Sequence, residues 1–179
     1  EYFYSKASFL ARLGSGSACR SIKGEVVVWG HELKRTGEAN HAEINGSSDL
    51  FGVEFSEVHQ NFKNYQDTIL LVDKGEKQVS STVGHDLMHN HPYAVRRFAQ
   101  AHENLSQIKA ILSSGNVAEF IKIVESEALT LHAMMMTSMP YFILMKPNTL
   151  EIINKIWKFR NETQIPVCFT LDAGANVHV

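Results

Sequence analysis

Three stretches of the chain carry apolar residues at the three- and four-residue spacing of an amphipathic helix. The first ends at Gly115 and has the inward positions Phe98, Ala101, Leu105, Ile108 and Leu112. The second follows Asn116 and Glu119, which resemble a capping box, and has the inward positions Val117, Phe120, Ile121, Val124, Ala128 and Leu131. The third repeats that start with Asn148 and Glu151 and has the inward positions Leu150, Ile153, Ile156 and Trp157. A shorter helix is predicted over residues 2–13.

Short β-branched runs separate these helices and predict strands. They cover residues 25–29, 67–73 and 166–171, whereas residues 30–66 follow no period and predict surface loop around short elements. Helices and strands mix without strict alternation and without an internal repeat. The pattern therefore predicts an α+β fold.

The composition narrows the functional classes. The chain has 179 residues and a formal net charge of −2, so no basic face indicates nucleic acid as a partner. No apolar run approaches the roughly 20 residues of a membrane-spanning helix, so no membrane partner is expected. Two cysteines without a paired motif favour a reducing, cytoplasmic location. The chain begins at Glu1 and stops within a strand-like run, so we expect both ends to lie inside a longer protein.

The stretch Gly14–Ser21, with the sequence GSGSACRS, has the chemistry of an anion site. Its glycines let backbone N–H groups approach a ligand, its serine hydroxyls can donate to oxyanions, and Arg20 offers a planar fork to carboxylate or phosphate. It is neither a Walker A loop nor a dinucleotide fingerprint. On residue types alone, an ordinary Gly/Ser connector with a solvated arginine remains an equal alternative.

Two other features have structural as well as chemical interpretations. His85, His89 and His91 cluster beside Asp86, but their spacing does not place all three on one helical face and Pro92 interrupts the run. We therefore expect no zinc site there and no metal-binding residues in the chain. Asp172, before Ala173 and Gly174 at a strand end, has the position of a simple turn residue unless another motif supports it.

Four segments in order resemble the diphosphomevalonate decarboxylases of the GHMP kinase superfamily. They are residues 10–21, with Leu-Ala-Arg-Leu before GSGSACRS, and residues 48–52, 79–84 and 170–176. The resemblance implies a GHMP-kinase-like α+β fold. Residues 1–66 would be the end of its N-terminal, substrate-loop domain, and residues 67–179 most of its ferredoxin-like C-terminal domain.

The resemblance also implies a function, which is ATP-dependent decarboxylation of mevalonate 5-diphosphate to isopentenyl diphosphate in isoprenoid biosynthesis. Ser15, Gly16, Ser17 and Arg20 would bind the substrate, and Arg20 and Asp172 would be catalytic. Asp172 would lie beside the tertiary hydroxyl that is phosphorylated. Ser81 would bind the nucleotide phosphates. The implied cofactors are ATP and Mg²⁺, and the implied assembly is a homodimer.

Departures from the family pattern leave alternatives open. His85 follows Gly84 where the family usually has methionine, and Ala175 replaces its usual proline. A monophosphorylated mevalonate as substrate, a small-molecule kinase of the same superfamily and a non-catalytic anion-binding module are the alternatives. The family's ATP loop and its Lys/Tyr substrate contacts should precede residue 1, so we expect the chain alone to be inactive.

Overall fold

The structure, a computed structural model, describes residues 2–30, 48–75 and 81–179, apart from the side chains of residues 81, 82 and 85. Its helices are α1 (Tyr2–Gly14), α2 (Ser81–Asp86), α3 (Ala94–Ser114), α4 (Val117–Met136) and α5 (Pro147–Thr163). Its strands are β1 (Val27–Val28), β2 (Val53–Glu54), β3 (Ile69–Leu70), β4 (Thr170–Leu171) and β5 (Val177–His178). Two 3₁₀ helices cover Gly16–Ser21 and Gln60–Phe62. The α+β prediction is confirmed.

The chain divides into two compact units. The first consists of Glu1–Lys63 and His102–Gly115, and the second of Asn64–Ala101 and Asn116–Val179. Because α3 contributes residues to both, the units are not contiguous in sequence. The division into domains 1–66 and 67–179 stays a prediction.

In the first unit, α1 runs into the 3₁₀ helix Gly16–Ser21, and a two-stranded antiparallel sheet follows. β1 pairs with β2 so that Val27 faces Glu54 and Val28 faces Val53. The Phe55 N–H donates to the Val26 carbonyl at 2.9 Å, which continues the pairing beyond the strand ends. This sheet supports the segment that follows residues Gly14–Ser21, which we call the Gly/Ser/Arg loop.

The second unit has a three-stranded antiparallel sheet in the order β3-β5-β4. Val177 of β5 pairs with Leu70 of β3 and with Leu171 of β4. The apolar core of this unit consists of Ala128, Ile153, Ile156, Phe169, Leu171 and Val177. Since these residues come from α4, α5 and the sheet, the two helices bury their inner faces against the strands that flank Asp172.

The inner face of α4 differs from the predicted one. Ile121 and Ala128 are buried as expected, but Glu125 and His132 are buried beside them, while Leu131 is only half-buried. The Glu125 carboxylate accepts hydrogen bonds from Trp157 Nε1 at 2.9 Å and from the Arg160 guanidinium at 2.6 and 3.1 Å. A carboxylate paired in this way tolerates burial, which apolar periodicity alone does not predict.

The predicted start of α5 at Asn148 and Glu151 is wrong. The helix begins at Pro147, and the Thr149 hydroxyl accepts the Lys146 N–H at 3.1 Å. Glu151 instead pairs with Lys155 one turn later, at 2.9 Å. By contrast, the Asn116 cap of α4 is confirmed, because its side-chain oxygen accepts the Glu119 N–H at 3.2 Å.

Among the helices that the structure describes, none is long and apolar enough to cross a membrane.

Candidate functional site

The Gly/Ser/Arg loop of the first unit forms an open cavity of about 370 Å³. It is lined by Ser15, Ser17, Ala18, Arg20, Ser21, Glu25 and Val27. The three side chains predicted to bind an anion thus line one cavity, and Ser21 adds a fourth polar group. Within the described part of the chain no ion pair of Arg20 is recorded, and its side chain lines the cavity. Glu25 places a carboxylate on the same wall.

Contacts behind the cavity fix the backbone of this loop. The Ser8 hydroxyl, buried on α1, donates to the Cys19 carbonyl at 2.7 Å and accepts the Gly52 N–H at 2.9 Å. A Cβ atom at Gly52 would lie 2.8 Å from the Cys19 carbonyl oxygen, so only glycine permits this approach. Ser8 and Gly52 therefore hold the loop from behind, outside the cavity.

Gly16 is needed for a different contact. A Cβ atom there would lie 3.2 Å from the Trp29 ring, which in turn donates its Nε1–H to the Asp49 carbonyl at 3.0 Å. A side chain at position 16 would press on a tryptophan that is already hydrogen-bonded. The glycine thus allows the ring to support the loop at its first turn.

In the second unit, Asp172 begins the turn between β4 and β5, and three other elements anchor this turn. His132 Nε2 of α4 donates to the Asp172 carbonyl at 3.1 Å. The Thr149 hydroxyl of α5 donates to the Ala175 carbonyl at 2.6 Å. The Asn176 side-chain oxygen accepts the N–H groups of Val72 and Asp73 at 2.9 and 3.0 Å. Together these bonds fix the turn backbone from α4, α5 and the end of β3.

The Asp172 carboxylate takes no part in this anchoring. Its side chain is 85% exposed, and among the described residues the polar group recorded nearest to it is His178 Nε2, at 3.9 Å. A turn-capping aspartate would instead accept a backbone N–H with its carboxylate. The geometry is that of an exposed carboxylate on a turn whose backbone is fixed by hydrogen bonds, which suits a proton acceptor.

His132 is an uncharged part of that support. Its side chain is 1% exposed, and burial lowers the pKa of its imidazole, partly offset by the hydrogen bond to the Asp172 carbonyl. A carbonyl oxygen only accepts, so the bonded nitrogen carries the proton. His132 was not singled out in the sequence, and its position on an apolar helix face was the one available signal.

The other residues with a possible chemical role are Ser81, the histidine cluster and Cys168. Ser81 begins α2, but its side chain lies outside the described residues, as does that of His85, so the nucleotide role of Ser81 stays a prediction. His91 is buried, and its Nε2 and Nδ1 engage the Met134 carbonyl and the Tyr93 N–H, both at 3.1 Å. Cys168 is buried beside the Tyr65 hydroxyl, and burial raises the pKa of its thiol, which makes it a poor nucleophile.

Similarity to known proteins covers most of the chain. Residues 68–179, more than half of it, match the family described as mevalonate 5-diphosphate decarboxylase C-terminal domain. The chain belongs to this family. The Gly/Ser/Arg loop lies outside the matched residues, but a longer similarity includes it. The diphosphomevalonate decarboxylase of Eremothecium gossypii is 30% identical over 178 residues, which is 97% of this chain and 42% of that protein.

Two further similar proteins are a decarboxylase named for a different substrate and a protein of solved structure. The phosphomevalonate decarboxylase of Haloferax volcanii is 30% identical over 83 residues, 46% of this chain and 26% of that protein. The structure of MDDEF in complex with MVAPP, AMPPCP and magnesium is 26% identical with a TM-score of 0.79, covering 98% of this chain and 50% of that one. The fold of this family is therefore the fold of the chain, which spans about two fifths of the length of its first curated relative.

The loop belongs to the first unit and Asp172 to the second. That the loop and Asp172 act on one substrate is what the family resemblance implies, and it stays a prediction.

Proposed function

We propose that the protein containing this chain catalyses the ATP-dependent decarboxylation of mevalonate 5-diphosphate to isopentenyl diphosphate. The observation that carries the proposal is the exposed Asp172 carboxylate on a turn anchored by His132, Thr149 and Asn176. Family membership supports it, as do the ligands MVAPP and AMPPCP of the related structure.

In the proposed reaction, Asp172 accepts the proton of the tertiary hydroxyl while that oxygen attacks the terminal phosphorus of ATP. ADP leaves, and the new phosphate ester then departs as inorganic phosphate. The bond between the carboxylate and its neighbouring carbon breaks, carbon dioxide is released, and its electron pair forms the double bond. Fixed charges and dipoles around the cation-like centre would stabilise it without having to reorganise, as water would.

Ser15, Ser17 and Arg20 have the chemistry to hold the anionic part of the substrate. Hydroxyl and guanidinium donors form charge-assisted hydrogen bonds to phosphate and carboxylate oxygens, and Arg20 can contact two oxygens at once. Binding energy from this remote group keeps the reacting hydroxyl at Asp172. Gly16 contributes its backbone and the space for Trp29.

The residues present are compatible with Mg²⁺ carried by the nucleotide. The described residues include no group of three or more His, Cys, Asp or Glu side chains arranged for a metal ion. Mg²⁺ in phosphoryl-transfer enzymes is held by one or two carboxylates together with substrate phosphates, so a dedicated protein cage is not required. Bound with the nucleotide, the ion would neutralise part of the negative charge of its phosphate groups. Ser81, at the start of α2, is the proposed contact to the nucleotide phosphates.

Glu25 favours a second candidate, a decarboxylase of a monophosphorylated mevalonate. Its carboxylate lines the same cavity as Arg20 and would repel the additional charge of a diphosphate. The relative from Haloferax volcanii is named for this kind of reaction. Measuring kcat/KM for the two substrates in the unmodified protein and in Glu25→Gln tests this substrate preference. Glu25→Gln should gain more on the diphosphate than on the monophosphate.

The test of the proposed function uses the full-length gene product with ATP and Mg²⁺. Carbon dioxide and inorganic phosphate released in equal amounts from mevalonate 5-diphosphate would support decarboxylation. A phosphorylated acid that accumulates without carbon dioxide would indicate the small-molecule kinase instead. Binding without ADP formation would indicate the anion-binding module. The chain alone should release no carbon dioxide.

A cytoplasmic homodimer completes the proposal. Both cysteines, Cys19 and Cys168, are free and buried, which suits a reducing compartment. The assembly rests on the family resemblance, and sedimentation equilibrium of the full-length gene product tests it. A monomeric mass at working concentration would contradict it.

A further inference from the structure

His178 of β5 lies between two carboxylates in the second unit. Its Nδ1 is 3.2 and 3.1 Å from the two carboxylate oxygens of Asp67, and its Nε2 is 3.9 Å from a carboxylate oxygen of Asp172. The imidazole side chain is 20% exposed, whereas the Asp172 side chain is 85% exposed. The Asp172 carboxylate thus faces the His178 ring on one side and solvent elsewhere.

Asp67 determines which way the imidazole points. A carboxylate only accepts hydrogen bonds, so Nδ1 carries the proton that is donated to Asp67, and Nε2 is the nitrogen left to face Asp172. The neighbours of His178 across the sheet are Ile69 on β3 and Thr170 on β4, which carry no charge. Among the described residues, the charged groups recorded within 4 Å of the ring are Asp67, which precedes β3, and Asp172, which follows β4.

We infer that His178, held by Asp67, is a positioning residue for Asp172; this rests on the proposed function of Asp172. Protonated, its Nε2–H attracts the carboxylate and fixes its orientation toward the substrate hydroxyl. A separation of 3.9 Å is longer than a hydrogen bond, and such contacts tighten when the substrate complex forms.

The alternative is that Asp67 and His178 merely tie the ends of β3 and β5 together. That role would affect stability and would leave turnover unchanged in the folded protein. The two roles therefore differ in their effect on the turnover of the folded protein.

The experiment compares His178→Gln, Asp67→Ala and the double variant in the full-length gene product, with His89→Gln as the matched control. His89 is an exposed histidine of the same unit. We expect His178→Gln to lower kcat on the order of 10- to 100-fold with little change in KM, because a displaced reacting group has effects of this size. A loss of kcat without a change in KM or in melting temperature would separate positioning of Asp172 from a purely structural tie.

Asp67→Ala should lower kcat by a smaller factor, and the double variant should match His178→Gln, because Asp67 acts through the histidine. Asp67 is 56% exposed, so this variant tests the inference even if His178→Gln does not fold. Normal kcat in Asp67→Ala, or in folded His178→Gln, would overturn the inference. Asp172→Asn separates this from the proposed function: normal turnover in that variant refutes the proposed function, whereas lost turnover together with a normal His178→Gln refutes only the role of His178.

Discussion

The side chain of Thr149 affects both the stability of the second unit and the position of the turn that carries Asp172. Its side chain is completely buried, and its hydroxyl donates to the Ala175 carbonyl at 2.6 Å while accepting the Lys146 N–H at 3.1 Å. Thr149→Val has nearly the same shape but removes both bonds, whereas Thr149→Ser keeps both bonds and removes one methyl group. The pair of variants therefore separates hydrogen bonding from packing at one position.

The expected magnitudes follow from burial. Ala175 is 8% exposed, so its unpaired carbonyl in Thr149→Val should lower the free energy of unfolding by about 1–3 kcal/mol. Lys146 lies at the exposed start of α5, where water can replace the lost bond, so this second loss adds little. Removal of a buried methyl group in Thr149→Ser should lower the free energy of unfolding by about 1 kcal/mol.

Turnover distinguishes the variants further. A looser Ala175 carbonyl frees the turn that presents Asp172, so Thr149→Val should also lose kcat, while Thr149→Ser should retain it. Urea unfolding and steady-state kinetics of the full-length gene product measure both effects on one preparation. If Thr149→Val were as stable and as active as Thr149→Ser, the anchoring of the turn by this hydroxyl would be refuted.

Two further perturbations test the cavity and the support of the turn. Arg20→Lys replaces a planar fork by a point charge, so substrate binding should weaken by about 1.5–3 kcal/mol, or roughly tenfold or more; unchanged KM and kcat would contradict the assigned contact. Burial holds the pKa of the His132 imidazole in the folded protein below its ordinary value of 6.5. The unfolded state therefore binds the proton more readily. The free energy of unfolding should therefore fall as the pH drops below about 6.5, and His132→Gln should flatten this dependence in urea titrations between about pH 5 and 7. An identical slope in the variant would contradict it.

The elements could be predicted from the sequence where local patterns determine them. The apolar period predicted α3 and α4 as helices, although Phe98, an inward position of α3 by that period, is 52% exposed. The Asn116 cap fixed the start of α4 because its partner Glu119 lies three residues away. The period failed at Glu125, whose burial depends on Trp157 and Arg160 of another helix. The start of α5 was predicted wrongly from Asn148 and Glu151, since the observed start uses Pro147 and the local bond from the Lys146 N–H to the Thr149 hydroxyl.

The candidate site divides in the same way. Recognisable motifs contain Ser15, Ser17, Arg20 and Asp172. Their residue types indicate anion binding and proton acceptance. The residues that support them act through tertiary contacts that no local pattern encodes. Ser8 meets Gly52 across 44 positions, and His132 meets Asp172 across 40. A buried polar residue on an apolar helix face was the strongest available sign of such a contact.

The central claim is that Asp172 accepts the proton of the substrate hydroxyl. The most direct test is Asp172→Asn in the full-length gene product, with Glu162→Gln, an exposed residue of the same unit, as control. Asparagine preserves shape but cannot take the proton, so kcat for carbon dioxide release should fall by about 10²-fold or more with little change in substrate affinity or melting temperature. Near-normal turnover with a lowered melting temperature would show that Asp172 is a turn residue, and would contradict the account.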